Sequence, residues 1–128
     1  MPVNVKIIST RDFVKMTAAG TLDFAASSQA ILDIASLITT PGEYEVLVDT
    51  RDAEAHLTIP NIYELGVALA SHPSLRVSKI ALLAPITEAE KARFFETVAL
   101  NRGVRLTAFS DFEAAITWLV MKDPAPSR

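Results

Sequence analysis

The side chains with the greatest chemical potential stand close together in the middle of the chain. Two aspartates, one arginine and one histidine occupy positions Asp49, Arg51, Asp52 and His56. Carboxylate and imidazole groups transfer protons and bind metals, and histidine titrates near neutral pH. We therefore take these four residues as the candidate ligand or partner site.

Three interpretations of this cluster remain open. Asp49, Asp52, Glu54 and His56 supply the oxygen and imidazole ligands that a divalent metal prefers. Alternatively, Arg51 pairs with a neighbouring carboxylate and the stretch is a solvated loop. An enzyme could also use all four cluster residues, with His56 as a general base, but the sequence offers no nucleophile or oxyanion partner for it. We expect no metal, no catalytic residue and no enzymatic activity.

Residue counts exclude several other chemistries. Cysteine is absent, so there is no disulfide, thiolate metal site or cysteine nucleophile. The four glycines, Gly20, Gly42, Gly66 and Gly103, are too far apart to build a dinucleotide-binding turn or a phosphate-binding loop. We therefore expect no cofactor.

Composition and charge narrow the possible partners. The 128-residue chain carries a net charge of −3 with scattered lysines and arginines, so it lacks the basic patch of a nucleic-acid binder. Half of its residues are apolar and its mean hydropathy is +0.30, yet no apolar run approaches the ~20 residues of a membrane span. The apolar excess therefore belongs to a core or an interface. No secretory signal is visible, and we expect a cytoplasmic protein.

The elements that must position the cluster follow from apolar spacing. Val3, Val5 and Ile7 alternate with polar residues, and a second strand with Val14, Met16 and Ala18 on one face follows too soon for a parallel crossover, which indicates an antiparallel hairpin. Further on, helical and strand patterns alternate. The predicted helices cover about 22–38 and the segments that begin at Thr58, Thr87 and Ser110; the predicted strands cover 44–48, 79–84 and 104–109.

The resulting order is β-β-α-β-α-β-α-β-α. Such alternation predicts an α/β fold with a mostly parallel sheet, an N-terminal antiparallel hairpin and helices on both faces. The strand before Asp49 is almost continuously apolar, which is typical of a central strand. We predict one domain over residues 1–121 and a flexible tail over 122–128.

Helix starts are predicted from capping residues. Thr58 is an expected N-cap with Pro60 in the first turn, where a missing amide hydrogen does little harm. Thr87 with Glu90 and Ser110 with Glu113 have the spacing of capping boxes.

Three segments carry a resemblance to a known family. They are Val-Asp-Thr-Arg-Asp-Ala (48–53), Phe-Phe-Glu-x-Val-Ala-x-Asn-Arg-Gly (94–103) and Ala-Phe-Ser-Asp-Phe-Glu-Ala-Ala-Ile-x-Trp-Leu (108–119). Together with the strand order, they resemble SpoIIAA-like proteins. These are relatives of STAS domains and share a fold type with the lipid-binding Sec14 (CRAL-TRIO) domains.

The resemblance implies a regulatory role with one departure. In sporulation-type anti-sigma-factor antagonists, a kinase phosphorylates a serine that follows an aspartate at the start of the second helix. The matching place here reads His56 to Pro60 and contains no such pair. Thr58 is left as a candidate phosphoacceptor, beside its simpler interpretation as a helix cap.

Two functions follow as hypotheses. The first is a non-enzymatic binding or regulatory module of STAS or SpoIIAA-like type, which makes protein-protein contacts through residues 49–58 and the following helix. Its partner would be another protein or a second copy, in a homodimer. The alternative is a Sec14-like carrier of a small apolar or lipid-like ligand, which requires an apolar pocket.

Overall fold

The strands lie in the sheet in their order along the chain. The computed structural model describes residues 3–10, 13–38 and 44–121. Its strands are β1 (Asn4–Ser9), β2 (Phe13–Leu22), β3 (Glu45–Ala55), β4 (Lys79–Leu83) and β5 (Arg105–Phe109). β1 is antiparallel to β2, and the later neighbours are parallel. The predicted α/β fold, its hairpin and its central third strand are confirmed.

Helices cover both faces of this sheet unequally. They are α1 (Phe24–Leu37), α2 (Ile59–Ala70), α3 (Pro73–Arg76), α4 (Ala89–Asn101) and α5 (Phe112–Val120). Buried residues of α1, α2 and α4 share one apolar cluster with Val46, Ile80 and Leu106 of the sheet. α5 alone packs on the opposite face, where Ala115 and Leu119 share a second cluster with residues of β3 and β4.

The two clusters follow from the two-residue period of a strand. In β3, Val46 belongs to the first cluster and its neighbour Leu47 to the second, and each is 1% exposed. In β4, Ile80 likewise belongs to the first cluster and Ala81 to the second. Because both faces of these central strands are covered, nearly every residue must be apolar.

α2 and α4 approach each other closely at Gly66. A Cβ atom built on Gly66 would lie 2.5 Å from Cγ1 of Val98, which is too close for a real side chain. The buried positions of α2 are Ile62, Leu65, Gly66 and Leu69. The glycine is therefore required by packing between two helices.

The third strand is longer than predicted. The apolar pattern predicts a strand over residues 44–48, but β3 continues to Ala55. Its second half pairs with the end of β2, from Ala19 opposite Asp52 to Leu22 opposite Ala55. The interpretation of this stretch as a solvated loop is therefore wrong, since most of it is strand.

A β-bulge separates the halves of β3. Thr17 lies opposite Asp49, whereas Ala19 lies opposite Asp52, so β3 contains one more residue than β2 over this interval. A bulge of this kind shifts which residues point to each face. Before the bulge, the even-numbered residues of β3 face α1, α2 and α4. After the bulge, the odd-numbered residues of β3 face these helices.

One of the three predicted helix caps is confirmed. Thr58 is the N-cap of α2, and its hydroxyl accepts a hydrogen bond from the Asn61 amide at 3.2 Å. Asn61 Oδ1 accepts in return from the Thr58 amide at 3.1 Å. Pro60 lies in the first turn of the helix, as expected.

Both predicted capping boxes, at Thr87 and at Ser110, are wrong. Thr87 lies inside a short 3-10 turn (Ile86–Glu88), so α4 begins at Ala89 without a side-chain cap. At α5 the cap is Asp111, whose carboxylate accepts from the Ala114 amide at 2.9 Å. Ser110 is therefore one residue too early.

α1 also begins later than predicted. Leu22 is the last residue of β2, and Asp23 caps α1 through a 2.9 Å bond from the Ala26 amide. At the other end of the chain, the predicted tail, residues 122–128, lies outside the described residues.

Candidate functional site

An apolar cavity lies between the sheet and the helices α1, α2 and α4. Its volume is about 140 Å³. The sheet contributes Val48 and Leu82, while Ile34, Leu65 and Phe95 come from the three helices. The cavity therefore occupies the first apolar cluster, on the opposite face of the sheet from α5.

The extended β3 builds one wall of this cavity. Val46, Val48 and Thr50 line it before the bulge, and Ala53 and Ala55 line it afterwards. The two alanines are small, so the sheet leaves open space where larger side chains would fill it. After the bulge, Ala53 and Ala55 face the cavity in place of their charged neighbours Asp52 and Glu54.

Few polar groups reach the cavity, and two of them have hydrogen-bond partners. Thr50 Oγ1 donates to the Leu83 carbonyl at 3.1 Å, and Lys91 Nζ donates to the Leu57 carbonyl at 3.0 Å. Glu88 also lines the cavity. The bond from Lys91 ties α4 to the segment that joins β3 to α2.

Ser27 differs from these groups. It lies in the first turn of α1 and lines the cavity. Its Oγ is buried and has no hydrogen-bond partner within the described part of the chain. No motif or apolar spacing in the sequence marks Ser27 as a functional residue.

The predicted site residues do not line the cavity. Asp49 and Arg51 bind each other: Arg51 Nε donates to Asp49 Oδ1 at 3.1 Å, and its NH2 group donates to Oδ2 at 3.0 Å. Arg51 also lies over the Phe112 ring of α5, 5.7 Å from the ring centroid. The pair therefore sits on the α5 side of the sheet.

The charge of this pair is set by its own geometry. Burial favours the neutral carboxyl and raises the pKa of Asp49, but the hydrogen bonds and charge of Arg51 outweigh burial, with help from Lys15. The net result is a pKa of Asp49 below its usual value. The hydrogen bonds to Asp49 likewise raise the pKa of Arg51. Both groups are stabilised in their charged forms, as in a structural ion pair.

The remaining polar residues form a second, exposed pair. His56 Nε2 lies 2.7 Å from Glu54 Oε1, and both side chains are largely exposed. Asp52 is exposed and attracts Arg51 through space. In residues 3–10, 13–38 and 44–121, no three histidine or acidic side chains come together as metal ligands. The four candidate residues do not converge on one cleft.

Lys79 has a role that the sequence analysis missed. It is 6% exposed, and its Nζ donates to the carbonyl groups of Trp118 and Met121 while lying 4.7 Å from the centroid of the Trp118 ring. A cation at the C-terminus of a helix stabilises its unpaired carbonyl groups. Lys79 thus fastens α5 to the sheet, and its place in an apolar strand was the available signal.

A row of exposed apolar residues runs along α2, away from the cavity. Ile59, Tyr63 and Val67 are 50%, 46% and 37% exposed, and their four-residue spacing puts them on one side of the helix. Tyr63 accepts a 2.6 Å hydrogen bond from Arg102, the C-cap residue of α4. We call these three residues the α2 row.

Comparisons with solved structures identify the fold. A Shewanella loihica protein, described as an uncharacterized DUF3478-family member with a SpoIIAA-like fold, matches with a TM-score of 0.57 and 16% identity. The match covers 91% of this chain and 93% of that one. The protein described here has the SpoIIAA-like fold.

A second solved structure matches over a similar share of the chain. An anti-sigma factor antagonist from Mycobacterium paratuberculosis matches with a TM-score of 0.60 and 14% identity, over 92% of this chain and 94% of that one. Neither a scan against protein-family models nor a search of curated proteins finds a match. The resemblance predicted from the three sequence segments is thus confirmed at the level of the fold.

A helix that crosses a bilayer needs about 20 mostly apolar residues. Among the helices of the described residues, none has both the length and the apolar character needed to cross a membrane.

Proposed function

We propose that this SpoIIAA-like protein is a non-enzymatic binding module that holds a small apolar ligand in the cavity between the sheet and α1, α2 and α4. The observation that carries the proposal is the cavity itself, about 140 Å³ in volume and lined mainly by aliphatic side chains and Phe95. Small-molecule sites are typically concave and apolar with few polar groups. This is the carrier alternative of the sequence analysis.

The size and apolar lining of the cavity support this ligand class. An apolar cavity of about 150 Å³ stays free of water and binds molecules such as benzene. Transfer of apolar surface from water into such a space is favourable by roughly 25 cal/mol per Å². A molecule with the bulk of one aromatic ring, or a short branched chain, fits these limits.

The arrangement of charged groups supports binding without catalysis. Asp49 and Arg51 are occupied with each other on the α5 side, whereas catalytic groups must face the bound substrate. The polar groups Thr50 and Lys91 at the cavity donate to backbone carbonyls. The cavity offers shape and apolar surface rather than a reactive pair.

Native mass spectrometry and ligand titration test the proposal. We expect the gently ionised protein to carry a small adduct or, after stripping, to bind toluene. Ala30, which is 5% exposed and lines the cavity, provides the blocking variant Ala30→Leu. We expect Ala30→Leu to weaken toluene binding at least about tenfold because the added side chain fills the space.

A matched control lies on the same helix. Ala25 of α1 is exposed, so Ala25→Leu should leave toluene binding unchanged. Wild-type protein without an adduct and without measurable affinity for toluene would overturn the proposed function.

A second candidate function is protein binding through the α2 row. The apolar side chains of Ile59, Tyr63 and Val67 are exposed together, and the apolar centre of an interface requires such a surface. They lie on the helix that follows residues 49–58, the surface predicted from sequence. A regulatory role of this kind is suggested by the likeness to an anti-sigma factor antagonist.

Light scattering coupled to size exclusion tests this candidate for a second copy of the chain. We expect a concentration-dependent dimer that Ile59→Glu with Val67→Glu converts to monomer. Leu32→Glu, at an exposed site on α1, is the control and should leave the dimer intact. A wild-type monomer at every concentration would remove self-association. Partner contacts by Asp49, Arg51, Asp52 and His56, phosphorylation of Thr58 and cytoplasmic localisation stay predictions.

A further inference from the structure

The unpaired hydroxyl of Ser27 is the unusual polar feature of the cavity. Ser27 Oγ is buried and has no hydrogen-bond partner among the residues that the structure describes. Buried polar side-chain atoms in folded proteins nearly always have a partner, because desolvation without one is unfavourable. An unpaired hydroxyl at a cavity wall therefore requires an explanation.

Two simpler roles for this hydroxyl do not apply. Serine in a helix often donates to the carbonyl four residues earlier; here the Asp23 carbonyl accepts from the Ser27 backbone amide at 3.0 Å, and Ser27 Oγ is left unpaired. Asp23, not Ser27, caps the helix. Neither local role accounts for a serine at this position.

The other polar residues at the cavity provide a contrast. Thr50 and Lys91 direct their side-chain donors to the carbonyls of Leu83 and Leu57. Their hydrogen-bonding capacity is thus used by the protein itself. Ser27 keeps both a donor and an acceptor unused, since a hydroxyl can serve as either. Because its Oγ is buried in the free protein, a ligand in the cavity would reach it only after a change of the χ1 rotamer.

We propose that Ser27 is the polar recognition point of the cavity, and that the ligand is a neutral apolar molecule with one hydroxyl or carbonyl oxygen. This inference rests on the proposed function and specifies its ligand class. The charged residues that line the cavity, Glu88 and Lys91, have opposite signs, so they give no preference for an ion. One oxygen on a body of ring size satisfies Ser27 and fills the remaining apolar space.

Phenol and toluene form the test pair, because they have nearly the same shape and differ in one hydroxyl group. Each is titrated into isotopically labelled protein, and dissociation constants are taken from backbone amide shifts of Ala30, Ile34 and Leu65 around the cavity. We expect Ser27→Ala to weaken phenol binding at least about fivefold, since it leaves the buried phenol hydroxyl unpaired. Toluene affinity should change by less than about twofold.

Ser36→Ala is the matched control. Ser36 lies on the same helix, is exposed, and donates to the Asp33 carbonyl at 2.8 Å, so its replacement should change neither affinity. Equal loss, or no loss, of phenol and toluene binding in Ser27→Ala would overturn the role of Ser27 while leaving the carrier function standing. Failure of both probes to bind wild-type protein would overturn the carrier function itself.

Discussion

The two faces of the sheet are built from the same strands but use them differently. On the α5 side, Leu47, Ala81 and Leu83 pack against one helix and are at most 1% exposed, and the polar groups Asp49 and Arg51 bind each other. On the other side, three helices leave a cavity and Ser27 Oγ has no partner. The α5 face is closely packed and its charged pair is hydrogen-bonded. The other face contains a cavity and a hydroxyl group without a hydrogen-bond partner.

This difference indicates which face of the sheet can bind a ligand. A charged cluster attracts attention in a sequence, yet Asp49 and Arg51 already satisfy each other, which is what stability requires of a buried charge. Space and unsatisfied hydrogen bonding reduce stability, and proteins retain them where function needs them. We therefore place the proposed ligand on the cavity side, whereas the α5 side is the more fully packed face.

The largest expected effect compares two neighbouring leucines of β4. Leu83 is fully buried against α5, whereas Leu82 is half-buried and lines the cavity. We expect Leu83→Ala to reduce the free energy of unfolding by about 3–5 kcal/mol and Leu82→Ala by about 2 kcal/mol, because Leu82 already lacks contacts on its cavity side. Denaturant unfolding measures both. Equal losses would contradict the contrast between the two faces.

The next prediction concerns Gly66, where the cavity side is tightly packed. Gly66→Ala should reduce stability by about 1–2 kcal/mol, since the clash with Val98 outweighs the higher helix propensity of alanine. Thermal melting measures the change. Restoring space with Val98→Ala in the same chain should make Gly66→Ala neutral or stabilising relative to Val98→Ala alone. A stabilising single Gly66→Ala would show that α2 and α4 can separate, and that the cavity is adaptable rather than fixed.

The third prediction tests whether the charged pair stabilises the α5 side. Arg51→Met should cost about 1–3 kcal/mol at pH 7, because it leaves the buried Asp49 carboxylate without its charged donors. Denaturant unfolding is measured from pH 7 down to pH 3. His56→Ala, which removes one member of an exposed pair, is the control and should cost about 0–0.5 kcal/mol.

The pH dependence of this loss follows from the lowered pKa of Asp49. A carboxylate with a lower pKa in the folded state stabilises the protein fully above its unfolded pKa of about 3.9. That contribution disappears as pH falls from this value through the folded pKa. Without Arg51, burial raises the pKa of Asp49 in the variant, so the difference between wild type and Arg51→Met should begin to shrink above about pH 4 and continue to shrink as the pH falls. A difference that stays constant down to pH 3 would show that Arg51 acts through packing on Phe112 instead.

Much of the fold was predictable because its signals are local. The apolar run before Asp49 indicated a central strand, and Thr58 with Pro60 indicated the start of α2; both are confirmed. The extension of β3 was missed because Arg51, Asp52 and Glu54 suggest a loop and alanine has low strand propensity. Its signal was the alternation of Ala53, Ala55 and Leu57 with polar residues, which the bulge shifts by one residue from the pattern before Asp49.

The cavity was not predictable in the same way. Its wall combines residues from four strands and four helices, and empty space depends on how those elements meet rather than on any one segment. The predicted polar residues are adjacent in sequence, so their proximity was evident, but the face they occupy depends on the bulge. The unpaired state of Ser27 depends on tertiary contacts that sequence periodicity does not report.

The smallest expected effect has the opposite sign and concerns Ser27. Ser27→Ala should raise the free energy of unfolding by about 0.5–1 kcal/mol in the absence of ligand, because it removes an unpaired buried hydroxyl and introduces the best helix former. Ser36→Ala gains the same propensity but loses a hydrogen bond to Asp33, so it should be nearly neutral. Thermal melting of the stripped protein distinguishes the two. A destabilised Ser27→Ala would mean that the hydroxyl already has a partner in the free protein. A stabilised variant that also loses phenol affinity would show that the cavity side gives up folding energy for recognition, which the satisfied α5 side does not.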